Sequence, residues 1–245
     1  MTAPDAAGTA PILEIEGLEV RHGAVPAVRG ASLDVGAGEI VGLIGANGAG
    51  KSTTLLTVMG AHRPHGGEVR FRGEALARRR TEDIVRSGIA LVPEGRHIFG
   101  DLTVAENLRL GLAGRRSRNG VDDLIDWIHE LFPVVWEFRS RHAGALSGGQ
   151  QQQLAIARGL LAGPDLLLLD EPSLGLAPSV VHSLWGVLDE IRSRGVTILL
   201  VEQRAQVTIE LAARTYVMHN GEIRAVLGPG DAADTERISN AYFGA

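Results

Sequence analysis

The chain has 245 residues, no cysteine and a formal net charge of −5. These facts exclude a disulfide scaffold, a thiolate metal site and a cysteine nucleophile, and they argue against broad nucleic-acid binding. A 44 % hydrophobic, 22 % charged composition suits a soluble globular protein, and no apolar stretch nears the roughly 20 residues of a membrane helix. Residues 1–11 are small and polar, without the basic-then-apolar order of a signal peptide, and are expected to form a disordered tail on a cytosolic protein.

From residue 12 the pattern becomes that of packed elements. Residues 12–20 alternate apolar and polar, as a half-exposed strand does, and 31–35 repeat the pattern. Residues 39–44 form a short apolar run suited to a strand buried on both faces. A helix is expected from Lys51 to about Met59, then an exposed strand at 67–73 and a buried one at Ile89–Val92. From Thr103 to about Leu160 the character turns helical: Val104–Leu108, Asp122–Phe132 and Gln150–Leu161, with an exposed loop at 114–120. Strands return at Leu166–Leu169, Thr197–Val201 and Tyr216–Met218, separated by amphipathic helices. Asn220-Gly221 predicts a hairpin turn, and 231–243 a closing helix. There is no internal repeat.

Gly45-Ala46-Asn47-Gly48-Ala49-Gly50-Lys51-Ser52 fits the pattern G-x-x-x-x-G-K-[ST], placed between an apolar strand and a helix. Glycines let the backbone wrap a phosphate, and successive N–H groups plus the helix N-terminus bind its charge. Lys51 would reach the β- and γ-phosphates and Ser52 would ligate Mg²⁺, with Thr53 beside it. Lys51 is the one lysine among 24 lysine and arginine residues, which suits a site needing a compact, mobile ammonium. Leu166–Leu169 run into Asp170-Glu171, a buried strand ending in two carboxylates. Asp170 is placed to hold Mg²⁺ and Glu171 to act as general base on the attacking water. Leu146-Ser147-Gly148-Gly149-Gln150 opens another helix, readable as a second anion site or as a capping turn.

Together these motifs resemble an ATP-binding-cassette (ABC) ATPase over about residues 12–245, with LSGGQ as the family's signature. The resemblance implies ATP and Mg²⁺ as cofactors. It also implies a head-to-tail dimer, in which each ATP lies between the phosphate loop of one subunit and Ser147, Gly148, Gly149 and Gln150 of the other. Ser173-Leu174-Gly175-Leu176 then fits the D-loop, which crosses the interface. Finer matches are Val92-Pro93-Glu94-Gly95-Arg96, Leu102–Leu108, Glu130-Leu131-Phe132-Pro133, Pro172–Pro178, Val201-Glu202-Gln203 and the closing Ala241-Tyr242-Phe243-Gly244. They resemble an ATP-binding subunit of bacterial branched-chain amino acid importers, with no regulatory extension expected.

Three positions depart from the general family pattern. Glu94 stands at the usual Q-loop glutamine, as a Mg²⁺-sensing acid or a surface acid in a loop. Gln203 stands at the usual switch histidine, as a hydrogen-bond donor to the γ-phosphate or a plain loop residue; it cannot take a proton. His22 stands where an aromatic stacks on adenine, and reads as a smaller stacking ring or an exposed strand-end residue. Arg78-Arg79-Arg80 with Arg115, Arg116 and Arg118 reads as a solvated face, and Trp127, Phe132 and Trp136 as core of the helical part.

The expected fold is therefore α/β: a P-loop, RecA-like core, an antiparallel β-subdomain and a helical subdomain at about 88–160. The resemblance implies ATP hydrolysis powering import, with transmembrane permeases, a sister ATP-binding subunit or a second copy, and indirectly an external solute-binding protein. It places the chain at the cytoplasmic face of the membrane, without nucleic acid. Branched-chain amino acids are the expected cargo. Urea or a short-chain amide, or a non-transport role, are the alternatives.

Overall fold

A computed structural model describes residues 10–115, 117 and 119–243. Most of the expected tail at 1–11, and both Arg116 and Arg118, lie outside the described residues.

Two sheets organise the chain. β1 (Leu13–His22), β2 (Val25–Val35), β4 (Gly66–Phe71) and β5 (Glu74–Ala75) form an antiparallel sheet in the order β2-β1-β4-β5. Alternation along β1 buries Leu13 and Ile15, then Leu18 and Val20. The extra residue between the two pairs is absorbed by a bulge at Gly17, whose φ of +56° suits glycine.

The second sheet contains β3 (Ile40–Ile44), β6 (Ile89–Val92), β7 (Leu166–Asp170), β8 (Thr197–Glu202), β9 (Arg214–His219) and β10 (Glu222–Leu227). Its order is β10-β9-β3-β8-β7-β6, parallel except for β10. The β9–β10 hairpin turns at Asn220 and Gly221, both with positive φ, as a tight two-residue turn requires. The apolar runs are buried on both faces. Val41, Leu43, Leu166, Leu168, Leu199 and Val201 pack toward the antiparallel sheet. Ile40, Leu167, Leu169, Ile198 and Leu200 pack with residues of the helices on the other side.

The helices are α1 (Lys51–Val58), α2 (Thr81–Ser87), α3 (Val104–Leu112), α4 (Val121–Leu131), α5 (Pro133–Glu137), α6 (Gly148–Leu160), α7 (Pro178–Ser193), α8 (Ala205–Leu211) and α9 (Thr235–Phe243). Thr103 and Glu106 form a capping box that starts α3. Buried Asn107 clamps the preceding loop: it accepts from Phe99 N and donates to Phe99 O, each at 2.9 Å. Phe132 is fully buried, and Trp127 and Trp136 pack beside it in the helical core.

The structure differs from the expected helical span of 88–160 at its front end. Ile89–Val92 is the edge strand of the parallel sheet, so the helical segment begins with α3. Helix α2 is absent from the expected elements, because seven residues make two turns, too few for an apolar period to show.

Candidate functional site

Parallel pairing decides where the site lies. Ile44 of β3 is paired with Glu202 of β8, and Asp170 of β7 with Val201. The C-terminal ends of these three neighbouring strands therefore open at one edge, where α/β sheets place their ligands.

The loop between β3 and α1 has little freedom in its glycines. A Cβ on Gly45 would stand 2.2 Å from the Met218 carbonyl oxygen, and one on Gly50 2.6 Å from that of Ala27. Gly48 and Gly50 take φ of +80° and +110°, which glycine adopts without strain. Asn47 and Gly48 are exposed, while Ala49 is buried, so the crest of the loop faces solvent.

Lys51 is 4 % exposed, and its Nζ donates to Gly45 O at 2.8 Å and Ala46 O at 3.2 Å. The same ammonium lies 3.3 Å from Glu171 Oε1. Ser52 Oγ donates to Asp170 Oδ1 at 3.1 Å, joining the helix start to the end of β7. Burial is the main cause that raises the Asp170 carboxyl above its ordinary range; the Ser52 hydrogen bond opposes it, and the charges of Glu171 and Glu94 add to it. Glu94 itself is exposed.

Glu171 has a left-handed backbone, φ +47°, uncommon for a residue with a side chain. Its N–H donates to Val201 O at 2.9 Å, and its Oε2 accepts from Gln203 Nε2 at 2.7 Å. Gln203 Nε2 also donates to Asn47 Oδ1 at 2.5 Å. One amide thus joins the loop crest to the carboxylate that faces Lys51. His22 reaches this cluster through its Nε2, 3.1 Å from Thr53 Oγ1, and its ring meets His62 edge-on at 4.9 Å. Burial, and then the His22 charge, lower the His62 pKa.

The structure thus gathers Gly45, Asn47, Gly48, Ala49, Gly50, Lys51, Ser52, Thr53, Asp170, Glu171, Gln203 and, at the margin, His22. It keeps Ser147–Gln150 apart, and none of their hydrogen bonds among the described residues reaches the loop. Ser147 caps α6: Gln150 N donates to its Oγ at 3.4 Å, and Ser147 N donates to Gln150 Oε1 at 2.9 Å. Gly148 lies against the Arg96 guanidinium, where a Cβ would be 3.1 Å from Nη2. Arg96 Nη1 donates to Gln151 Oε1 at 3.2 Å.

Sequence reasoning quoted three further residues within family matches but gave them no role in the site. Arg96 closes the Val92–Arg96 match, but its left-handed φ of +69°, which turns it toward Gly148 and Gln151, is not readable from that match. Glu202 is 2 % exposed; the signal available was an acid ending an otherwise apolar strand. Tyr242 of α9 packs against the small apolar cluster that includes Ile44 and Val217, and burial followed by the Glu171 charge raises its phenol pKa.

A glycine loop with its lysine at a helix start, and two carboxylates ending a neighbouring parallel strand, define a P-loop nucleotide hydrolase. The family profile described as ABC transporter matches residues 28–174, so the chain belongs to the ABC transporter family and is an ATP-hydrolysing, ATP-binding subunit of it. It is 43 % identical over 234 residues, 95 % of this chain and 100 % of the other, to the high-affinity branched-chain amino acid transport ATP-binding protein BraG of Pseudomonas aeruginosa. It is 33 % identical over 239 residues, 95 % of this chain and 97 % of the other, to the lipopolysaccharide export system ATP-binding protein LptB of Haemophilus influenzae. Its fold matches the crystal structure of the ADP conformation of MJ1267, an ATP-binding cassette of an ABC transporter. That match has TM-score 0.84 and 27 % identity, covering 97 % of this chain and 100 % of that one. No helix among the described residues is long and apolar enough to cross a membrane.

Proposed function

We propose that this chain powers import of branched-chain amino acids, at the cytoplasmic face of a membrane, through permeases made of other chains. The observation that carries this reading is the similarity to BraG along nearly the whole chain. Residues 12–245 act as one nucleotide-binding unit, with α3–α6 as its helical part. Two such units, sister or identical, pair head to tail, each ATP lying between Gly45–Thr53 of one and Ser147–Gln150 of the other. An external solute-binding protein delivers cargo to the permeases and touches this chain only indirectly.

In this reading the loop N–H groups and the start of α1 hold the phosphates. The Lys51 ammonium, shared among two carbonyls and Glu171, moves onto the β- and γ-phosphate oxygens. Glu171, relieved of that partner, accepts a proton from the water that attacks the γ-phosphorus. The Gln203 amide orients Glu171 and donates to phosphate without exchanging a proton. His22 lies against the adenine side. The Ser52 hydroxyl and Asp170 carboxylate converge as hard oxygen donors, which fits Mg²⁺, and Glu94, whose charge acts on Asp170, is the further acid proposed to sense it. A Mg²⁺ ion held by these residues would supply charge neutralisation during phosphoryl transfer.

The test is uptake of labelled leucine and labelled urea in cells lacking the gene, complemented with wild type or Glu171→Gln. Leucine uptake restored by wild type alone supports the cargo and the base. Purified Glu171→Gln should keep ATP binding and lose at least 100-fold in turnover, the scale of a positioned general base. Lost urea uptake with intact leucine uptake would reassign the cargo. An unchanged uptake of both, with lipopolysaccharide export impaired, would reverse the direction.

A further inference from the structure

Glu202 is a buried carboxylate that the hydrolytic scheme does not use. It ends β8, which lies between β7 and β3, yet its hydrogen bonds reach neither Lys51 nor Ser52. Its two oxygens accept from two backbone N–H groups, one distant in sequence and one on the next residue. Oε1 accepts from Ser173 N at 2.9 Å, and Oε2 from Gln203 N at 3.2 Å.

Each acceptor oxygen leads somewhere different. Ser173 is 2 % exposed and begins the turn Ser173-Leu174-Gly175-Leu176. That turn is closed by Leu174 N donating to Glu171 O at 3.1 Å and Leu176 N donating to Ser173 O at 3.2 Å. Its tip, Leu174, is 50 % exposed, a large apolar side chain in solvent beside Gly175 with φ +69°. On the other side, Gln203 carries the amide that grips Glu171 and Asn47. Glu202 is therefore the group whose hydrogen bonds join the exposed turn to the residue orienting the reacting carboxylate.

We infer that Glu202 is a positioning residue, whose carboxylate transmits contact at Leu174 through Ser173 and Gln203 to the orientation of Glu171. A second copy of this chain seated on Leu174 would then set the hydrolytic geometry of the first; this rests on the head-to-tail dimer proposed above. Bond directions make the link specific. Both backbone groups are donors, and a carboxylate satisfies them with one oxygen toward each. A glutamine in its place can accept from one N–H but presents its own NH₂ to the other.

The experiment compares Glu202→Gln, Gln203→Ala and the double variant, alone and in the Glu171→Gln background. Readouts are kcat, KM, affinity for a fluorescent ATP analogue, melting temperature, and ATP-dependent dimerisation by size exclusion. Glu202→Gln is expected to lower kcat at least tenfold with nucleotide affinity within twofold and melting temperature within a few degrees. The double variant should be no slower than the slower single one, because both changes cut one path. A wild-type kcat in Glu202→Gln, multiplicative losses in the double variant, or parallel loss of kcat, affinity and melting temperature each overturn the inference. If Glu171→Gln itself fails to dimerise with ATP, the dimer reading falls. The Glu202 link to Glu171 is then decided by the kcat cycle alone.

Discussion

At the residue scale, the site is set by conformations that only certain side chains tolerate. A Cβ at position 45 meets a backbone oxygen of β9 at 2.2 Å, and backbone cannot swing aside as a flexible side chain can. Gly45→Ala is expected to cost about 1–3 kcal/mol, the range of overpacking changes, and calorimetry would show it as a melting temperature lower by several degrees. Glu202 offers a second check, through pH. Burial outweighs the hydrogen bonds from Ser173 and Gln203 and raises its pKa. The folded chain thus holds this proton to higher pH than the unfolded chain, which releases it near about 4.3. Its contribution to stability is full below that value and is lost as pH rises toward the raised one. Urea unfolding of wild type and Glu202→Gln at pH 4.5 and pH 8 should show the variant gaining, relative to wild type, at the higher pH. The loop residues and the Asp170-Glu171 pair were legible because their spacing encodes the chemistry directly. Arg96 and Glu202 were not, since a positive φ and a bond to a distant N–H exist only after folding.

At the scale of elements, the two sheets are joined by a polar clasp as well as by apolar packing. Arg214 of β9 pairs with Asp34 of β2, and its Nη1 lies 2.7 Å from Glu39 Oε2. Tyr216 Oη donates to Asp34 Oδ1 at 2.7 Å. Arg214→Ala should cost about 2 kcal/mol, between the worth of a charged hydrogen bond and of a surface pair, and lower the melting temperature by roughly 4–8 °C. Arg214→Lys should recover less than half of this, because a point ammonium cannot serve both carboxylates in a fork. The strands of the parallel sheet stood out in the sequence, as continuous apolar runs such as Leu166–Leu169 belong only inside two layers. The strand at Ile89–Val92 and the turn to helix after Thr103 were legible too, but the strand's place in the sheet was not. Ile89–Val92 is too short to reveal its sheet partner, which is β7, more than 70 residues further on.

At the scale of the molecule, an amine census follows from one buried side chain. Lys51 carries the only ε-amine in this sequence, and it is 4 % exposed between loop carbonyls and Glu171. Acylating reagents attack the neutral, accessible amine, so Lys51 should react slowly, and acetylation at Lys51 itself counts openings of that one place. Peptide mass spectrometry after timed acetic anhydride treatment is expected to find modification at Lys51 rising when Glu171→Gln removes its charge partner. ATP should suppress it in both forms. Equal labelling with and without ATP would mean that phosphate does not take over the ammonium. Arginine at every other position of this type leaves the chain a single ε-amine, and that amine reports on catalysis.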